Sequence, residues 1–315
     1  MSSQNKVIVI GTGIVGIATA YYLAHSYGYL NITLVDRDQP MTFTSAQSGE
    51  NYRNWWPHPA MVAFTNRSID LLEEIAQDTG NRINMNRRGY ALATRETDID
   101  ALVAQLHDGL GESAARLLRY HTYDTAATYH PFDKPDWESV PDGVDIVQNA
   151  ELIKSRFPSY DPAIRTIIHI RRGGDISGQQ LGTVMLEYLR NVGIKRVIGD
   201  VTEISASDGF KLKVTSPEGS KTLVADKIVN AAGPFADRIA AMLGVELPIF
   251  NTFQQKIAFE DRARSRFRST SMVKKSIGRK KSGCCCSRNL ILLGWPRTCR
   301  EQFIVARTVE MTANG

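Results

Sequence analysis

At 315 residues, with 43% hydrophobic and 23% charged side chains, the chain is long enough to bury a full core and has the composition of a globular protein of about two domains. The formal net charge of +5 hides an asymmetry. Residues 262–315 hold 13 of the 38 Lys/Arg and only 2 of the 33 Asp/Glu, so the preceding body carries a net −6.

All four cysteines (Cys284, Cys285, Cys286, Cys299) lie in the same tail. Their spacing lacks C-x-x-C and a nearby His, which argues against a metal site. A body without cysteine has no disulfide framework and fits a reducing, cytoplasmic setting. The apolar stretch VIVIGTGIVGIATAYYLA at residues 7–24 is broken by Gly and Thr and follows only one positive charge. It lacks an A-x-A site and the roughly 20 apolar residues of a spanning helix, so a soluble chain with no membrane span is expected.

Lys6 to Ile10 is β-branched and reads as a strand buried on both faces. Gly11-Thr12-Gly13-Ile14-Val15-Gly16 follows, then a helical pattern, then a second strand, Ile32 to Val35, ending at Asp36. This is a βαβ unit with G-x-G-x-x-G at its first turn. Gly11 makes the turn, Gly13 admits a pyrophosphate to the main chain, and Gly16 lets the helix press on the strand. Ile14 and Val15 open the helix, whose free N–H groups and partial positive charge face the phosphates. Asp36, 20 residues after Gly16, stands where a carboxylate can accept both ribose hydroxyls of an adenosine. Its charge disfavours a 2′-phosphate there, an argument that the adjacent Arg37 weakens. The ligand expected from these residues is a dinucleotide.

Amphipathic helices are predicted around Met61–Asp78 and Asp98–Arg119, and residues 120–137 read as an irregular segment in which His121 and His130 are structural. A helix over Gln179–Asn191 precedes a strand within Gly193–Ile204. Hairpin turns at Asp208-Gly209 and Pro217-Glu218-Gly219 then lead to the strand, small residues and glycine of ADKIVNAAG, residues 225–233.

The N-terminal unit, VTEI at 201–204 and ADKIVNAAG together resemble the D-amino-acid oxidase family of FAD-dependent oxidoreductases, which includes glycine oxidase and sarcosine oxidase. SAQSG at 45–49, RRGYALAT at 87–94 and the segment 172–204 extend the resemblance over about residues 5–260. It implies an α/β fold: a Rossmann-like FAD-binding domain (parallel sheet with β-meander) interleaved with a smaller, incomplete α+β substrate domain. The FAD-binding domain would take 1–78 and 148–242, and the substrate domain 79–147 and 243–261. By the same resemblance, Gly11, Gly13 and Gly16 would hold the FAD pyrophosphate and Asp36 the ribose. The Val201 backbone would meet the adenine, with a plain core residue as the alternative. Ala231, Ala232 and Gly233 would close over the diphosphate, and Ser45, Ser48 and Gly49 would lie near the pyrophosphate and isoalloxazine.

The implied chemistry is hydride transfer from the carbon beside an amine to flavin N5, on a small amine or amino-acid substrate. Such a site needs a cation for the substrate carboxylate and an apolar wall. The run ENYRNWWPHP offers Arg53 as a bidentate clamp, Trp55 or Trp56 as the wall, and His58 as a proton carrier. The bland alternatives are a surface ion pair for Arg53, junction packing for the tryptophans and a turn cap for His58. A noncatalytic flavoprotein scaffold and an NAD-dependent dehydrogenase are the competing functions.

After Asp261 the pattern stops. Residues 262–315 show neither helical nor strand periodicity over their first half. A diverged substrate domain, a basic arm for nucleic acid or lipid, and out-of-frame sequence after a coding disruption compete. The last is favoured, with residues 262–315 then a poorly ordered or aberrant basic tail and no nucleic-acid partner expected. On that reading the substrate sheet keeps an unpaired edge, the flavin face stays wet, and the chain binds FAD weakly or not at all and turns over little substrate.

Overall fold

The computed structural model describes residues 5–131, 137–138 and 140–251, with the backbone of four further strands at 256–260, 269–272, 292–294 and 303–307. In chain order the strands and helices are β1 (Val7–Ile10), α1 (Ile14–His25), β2 (Ile32–Asp36), β3 (Asn51–Arg53), α2 (Pro59–Asp78), β4 (Tyr90–Thr94), α3 (Asp100–Leu110), α4 (Ala114–Leu117) and β5 (Leu118–His121). Then come β6 (Val144–Val147), α5 (Ala150–Arg156), β7 (Thr166–Ile170), β8 (Gly173–Asp175), α6 (Gly178–Asn191), β9 (Lys195–Ile198) and β10 (Asp200–Ser207). The rest are β11 (Gly209–Ser216), β12 (Gly219–Ala225), β13 (Lys227–Asn230), α7 (Ala236–Ala241), β14 (Lys256–Glu260), β15 (Ser269–Met272), β16 (Leu292–Gly294) and β17 (Phe303–Arg307).

The chain divides into two compact units, residues 1–48 with 177–252 and residues 49–176 with 253–315. The first holds an all-parallel sheet in the order β13-β1-β2-β9 and a meander β10-β11-β12. Every residue of β1 is buried, as a central parallel strand requires. Helices α1 and α6 meet through Tyr21 and Tyr188, whose rings stand edge to face 5.1 Å apart. Ile8, Val35, Val201, Leu212 and Val214 share one core between sheet and meander. The strand expected within 193–204 is two strands divided at Gly199: β9 joins the parallel sheet and β10 the meander.

The second unit is built on a mixed eight-stranded sheet, β14-β17-β16-β15-β4-β7-β6-β5. Trp55, Leu106, Ile146 and Ile168 form one core, with Val62 of α2 in it. Tyr129, Phe157, Ile164 and Ile167 form another with Ala91 and Ala93. Helix α2 and residues 148–176, which the sequence analysis places in the FAD-binding domain, belong to this unit, because α2 shares its core and β7 lies inside its sheet. The helix expected to Arg119 ends at Leu110. A short α4 and strand β5 take its place.

The tail also differs from expectation. Three short strands lie within 262–315, and β15 pairs in parallel with β4 (Thr270↔Ala91), so that edge of β4 is not open. Short apolar runs such as FIVAR carry too little pattern to be read as strands until a partner supplies the pairing. The remaining tail residues, all four cysteines among them, lie outside the described residues, and so does the expectation about their order. Among the described residues no helix is long and apolar enough to cross a membrane.

Candidate functional site: the carboxyl edge of the parallel sheet

All four strands of the parallel sheet point the same way, so their carboxyl ends form one edge, the usual ligand-binding position in open α/β sheets. Pairing of Ile10 with Asn230 and with Val35 puts the turn 11–13, Asp36 and Ala231–Gly233 side by side on that edge. Two motifs more than 200 residues apart thus become neighbours, and Ala231 donates its N–H to the Ile10 carbonyl at 2.8 Å.

Close packing dictates the glycines. A Cβ on Gly11, whose φ is +108°, would stand 2.2 Å from the Ala231 carbonyl oxygen. One on Gly16 would stand 2.0 Å from the Gly11 oxygen. These two glycines therefore hold the turn against its neighbours. At Gly13 the nearest neighbour of such a Cβ would be the Ser45 Oγ, 3.2 Å away, and at Gly233 nothing lies within 4 Å.

Ser45 reaches the start of α1, where its Oγ accepts the Ile14 N–H at 3.0 Å. Gly13 at the N-cap position has no side chain to do this. The Ser45 hydroxyl, accepting there, still has its own proton to donate. Val15 is exposed on the first turn of α1. Asp36 faces the glycine turn: its Oδ2 accepts the Thr12 N–H at 2.6 Å and the Thr12 hydroxyl at 2.8 Å. Its Oδ1 accepts the Asp38 N–H at 3.0 Å. Arg37 lies over the Phe235 ring, 4.6 Å from its centroid, and pairs with Asp38. Phe43 packs on the same ring at 5.4 Å.

Val201 is buried in the core at a register shift between Val201 and Glu203, on the strand that ends the meander. Its side chain follows the core alternative, while its main chain lies on a strand with no second partner strand among the described residues. Spacing alone did not disclose Thr12, Phe43 or Phe235, because their contacts depend on how the turn and the 37–43 segment fold back.

An adenosine diphosphate group fits this edge. It has a helix start, the Ser45 hydroxyl beside that start, a carboxylate at the end of β2 and open space over Gly233.

Ser48 closes the 3₁₀ turn Thr44–Gln47 of the first unit, whereas Gly49, Arg53 and His58 belong to the second. There Arg53 lies between two rings, its guanidinium carbon 4.4 Å from the Trp56 centroid and 4.6 Å from that of Tyr90. Its Nε donates to the Trp55 carbonyl at 3.3 Å. Trp55 is a core residue, so it is no wall for a ligand, and Trp56 is the base of the Arg53 stack. His58 is the N-cap of α2: its Nδ1 accepts the Ala60 N–H at 3.2 Å, the capping alternative.

The same unit buries a polar cluster that no motif announced. Asp145 Oδ1 accepts from Arg119 Nε at 2.6 Å and meets His121 Nε2 at 2.9 Å, and its Oδ2 lies 3.3 Å from Arg171. Burial alone would raise the Asp145 carboxyl. Hydrogen bonds from Arg119 and His121 and the charge of Arg171 outweigh it and hold the group below its ordinary range. His169 lies against Tyr129 and Arg171 at Nδ1 and against the Arg88 carbonyl at Nε2, 2.9 Å away. Burial, with the Arg171 charge, pushes this imidazole down to about 3. Neutral His169 therefore donates from Nε2 and accepts at Nδ1.

The family model described as DAO, FAD dependent oxidoreductase, matches residues 6–278. Human mitochondrial dimethylglycine dehydrogenase is 23% identical over 257 residues, 80% of this chain and 26% of that protein. Sarcosine oxidase subunit beta of Rhizobium meliloti (strain 1021) is 22% identical over 255 residues, 77% of this chain and 53% of that protein. The chain thus spans about a quarter and about half of these two curated relatives.

Among solved structures, L-proline dehydrogenase from P. horikoshii superposes with a TM-score of 0.68 at 17% identity, over 97% of this chain and 70% of that one. Glycine oxidase from Geobacillus kaustophilus gives 0.68 at 16% identity, over 96% and 71%. These likenesses show a shared α/β fold, and the match over residues 6–278 shows more: this chain belongs to the DAO family of FAD dependent oxidoreductases.

Proposed function

We propose that this chain binds FAD through the carboxyl edge of its parallel sheet and belongs to an enzyme that oxidises the C–N bond of an amino acid or amine. The observation that carries this reading is the convergence of the Gly11–Gly16 turn, Asp36 and Ala231–Gly233 on one edge. FAD, when bound, supplies the hydride acceptor.

The chain's own residues hold it. Main-chain N–H groups of the glycine turn and of the first turn of α1 other than Ile14, whose N–H goes to Ser45, would take the diphosphate together with the Ser45 hydroxyl, and the Asp36 carboxylate would take the ribose. Ala231–Gly233 line the same edge. Arg53 is the residue proposed for a substrate carboxylate. Its guanidinium lies over the Trp56 and Tyr90 rings, and a guanidinium fork suits a carboxylate. The relatives are named for sarcosine, dimethylglycine, glycine and L-proline, all of which carry that carboxylate.

The test is reconstitution of the full chain with FAD followed by removal of unbound flavin. A flavin spectrum at one per chain supports the reading, and its absence at micromolar FAD overturns it. With flavin bound, Arg53→Met should raise the concentration of sarcosine or proline needed to bleach the flavin anaerobically by about tenfold or more.

A further inference from the structure

The carboxylate at the end of β2 is already largely occupied. An ionised carboxylate offers about four acceptor positions, two on each oxygen. On Asp36 both positions of Oδ2 are filled by Thr12, through its N–H at 2.6 Å and its hydroxyl at 2.8 Å. One position of Oδ1 is filled by the Asp38 N–H at 3.0 Å. One position remains.

Thr12 cannot easily withdraw. It is fully buried in the middle of the glycine turn, and its carbonyl accepts the Met41 N–H at 3.0 Å. Turning it away would break three bonds at once, two of them to a charged group, the strong kind.

We infer that Asp36 reads one hydroxyl of the adenosine ribose, through Oδ1, rather than both, and that Thr12 is the positioning residue that imposes this. The inference rests on the FAD reading above and refines it, since a carboxylate at this place would otherwise be free to grip the 2′- and 3′-hydroxyls together. It also assigns a task to the middle residue of G-T-G that a small apolar residue there could not perform.

The test uses the full chain titrated calorimetrically with ADP, 2′-deoxy-ADP and 3′-deoxy-ADP, each checked by competition with FAD. One deoxy analogue should bind about tenfold more weakly than ADP, and the other should stay within about twofold. Comparable losses for both would overturn the inference while leaving the FAD reading intact. Failure of both FAD and ADP to bind would overturn the FAD reading and this inference with it.

Thr12→Val preserves shape and removes the hydroxyl, which frees one position on Oδ2. The analogue tolerated before should then lose affinity severalfold relative to ADP, and Thr12→Ser should restore the original tolerance. An unchanged ratio in Thr12→Val would remove Thr12 from the role. Should that variant fail to fold, the ratio in the unaltered chain still decides whether one hydroxyl is read or two.

Discussion

The two units handle polar atoms in opposite ways. In the first, hydrogen-bonding groups stand at the ends of the parallel strands, where Asp36, Ser45 and the turn at 11–13 gather on one edge. In the second, they are buried where β5, β6 and β7 end the eight-stranded sheet: Asp145, His169 and Arg171 are at most 2% exposed and bond largely with one another. The first arrangement leaves donors for a ligand. The second spends most of its polar atoms internally, with the buried Arg119 Nη2 and Arg171 Nε left without a hydrogen-bond partner among the described residues, and ties β5, β6 and the end of β7 together.

Removing one member of the buried set should be the most damaging change. Asp145→Ala leaves Arg119 and Arg171 facing each other without their shared carboxylate, and about 3–5 kcal/mol of stability should be lost. Denaturant titration would check it. A loss under 1 kcal/mol would mean that solvent reaches the cluster.

The counterpart in the first unit is Gly16→Ala. Its new methyl would sit 2.0 Å from a main-chain oxygen, so a cost of about 2–3 kcal/mol and a weakened affinity for ADP are expected together. Stability lost with ADP affinity unchanged would separate the turn from the ligand edge.

Acid should then distinguish the two units. His169 ordinarily titrates near 6.5 but is pushed down to about 3 in the fold, so the unfolded chain takes up its proton first. The stability it contributes is complete above 6.5 and is lost as pH falls toward 3. Between pH 7 and pH 5 the loss should be about 1–2 kcal/mol, and His169→Gln should abolish that slope. Asp145 has the same sign in a more acidic window, below the ordinary carboxylate range.

The smallest effect belongs to the helix caps. Asn149, buried, accepts the Leu152 N–H at 2.8 Å, while Ser177 accepts the Gln180 N–H at 3.3 Å. Asn149→Ala should cost about 1 kcal/mol, and Ser177→Ala less.

The contrast between the units also explains what could be read from the chain beforehand. Gly11, Gly13, Gly16 and Asp36 were legible because a turn between strand and helix demands particular residue types at fixed spacing. The placement of Ala231–Gly233 beside them is implied by the family resemblance and not by any spacing within the chain. The Asp145 cluster is not legible, since His121 on β5, Asp145 on β6 and Arg171 just after β7 come together at spacings that no local rule connects. His121 has no partner at ligand spacing in the sequence; its partner is 24 residues away. Thr12 was passed over because its role depends on a side-chain bond across the turn. The strands at 269–272 and 303–307 were missed because an edge strand takes much of its identity from the strand it joins.

The register of the central strand bears on how the protein is made. Val7 of β1 pairs with Lys227, 220 residues further along. At about 5–20 residues per second, a ribosome needs roughly 10–40 s to deliver that neighbour. Throughout that interval the nascent chain presents one bare flank of β1 and a glycine turn with nothing beneath it. The nucleotide cradle is therefore among the last features of the first unit to be completed, and a chaperone acting during translation would find its target there.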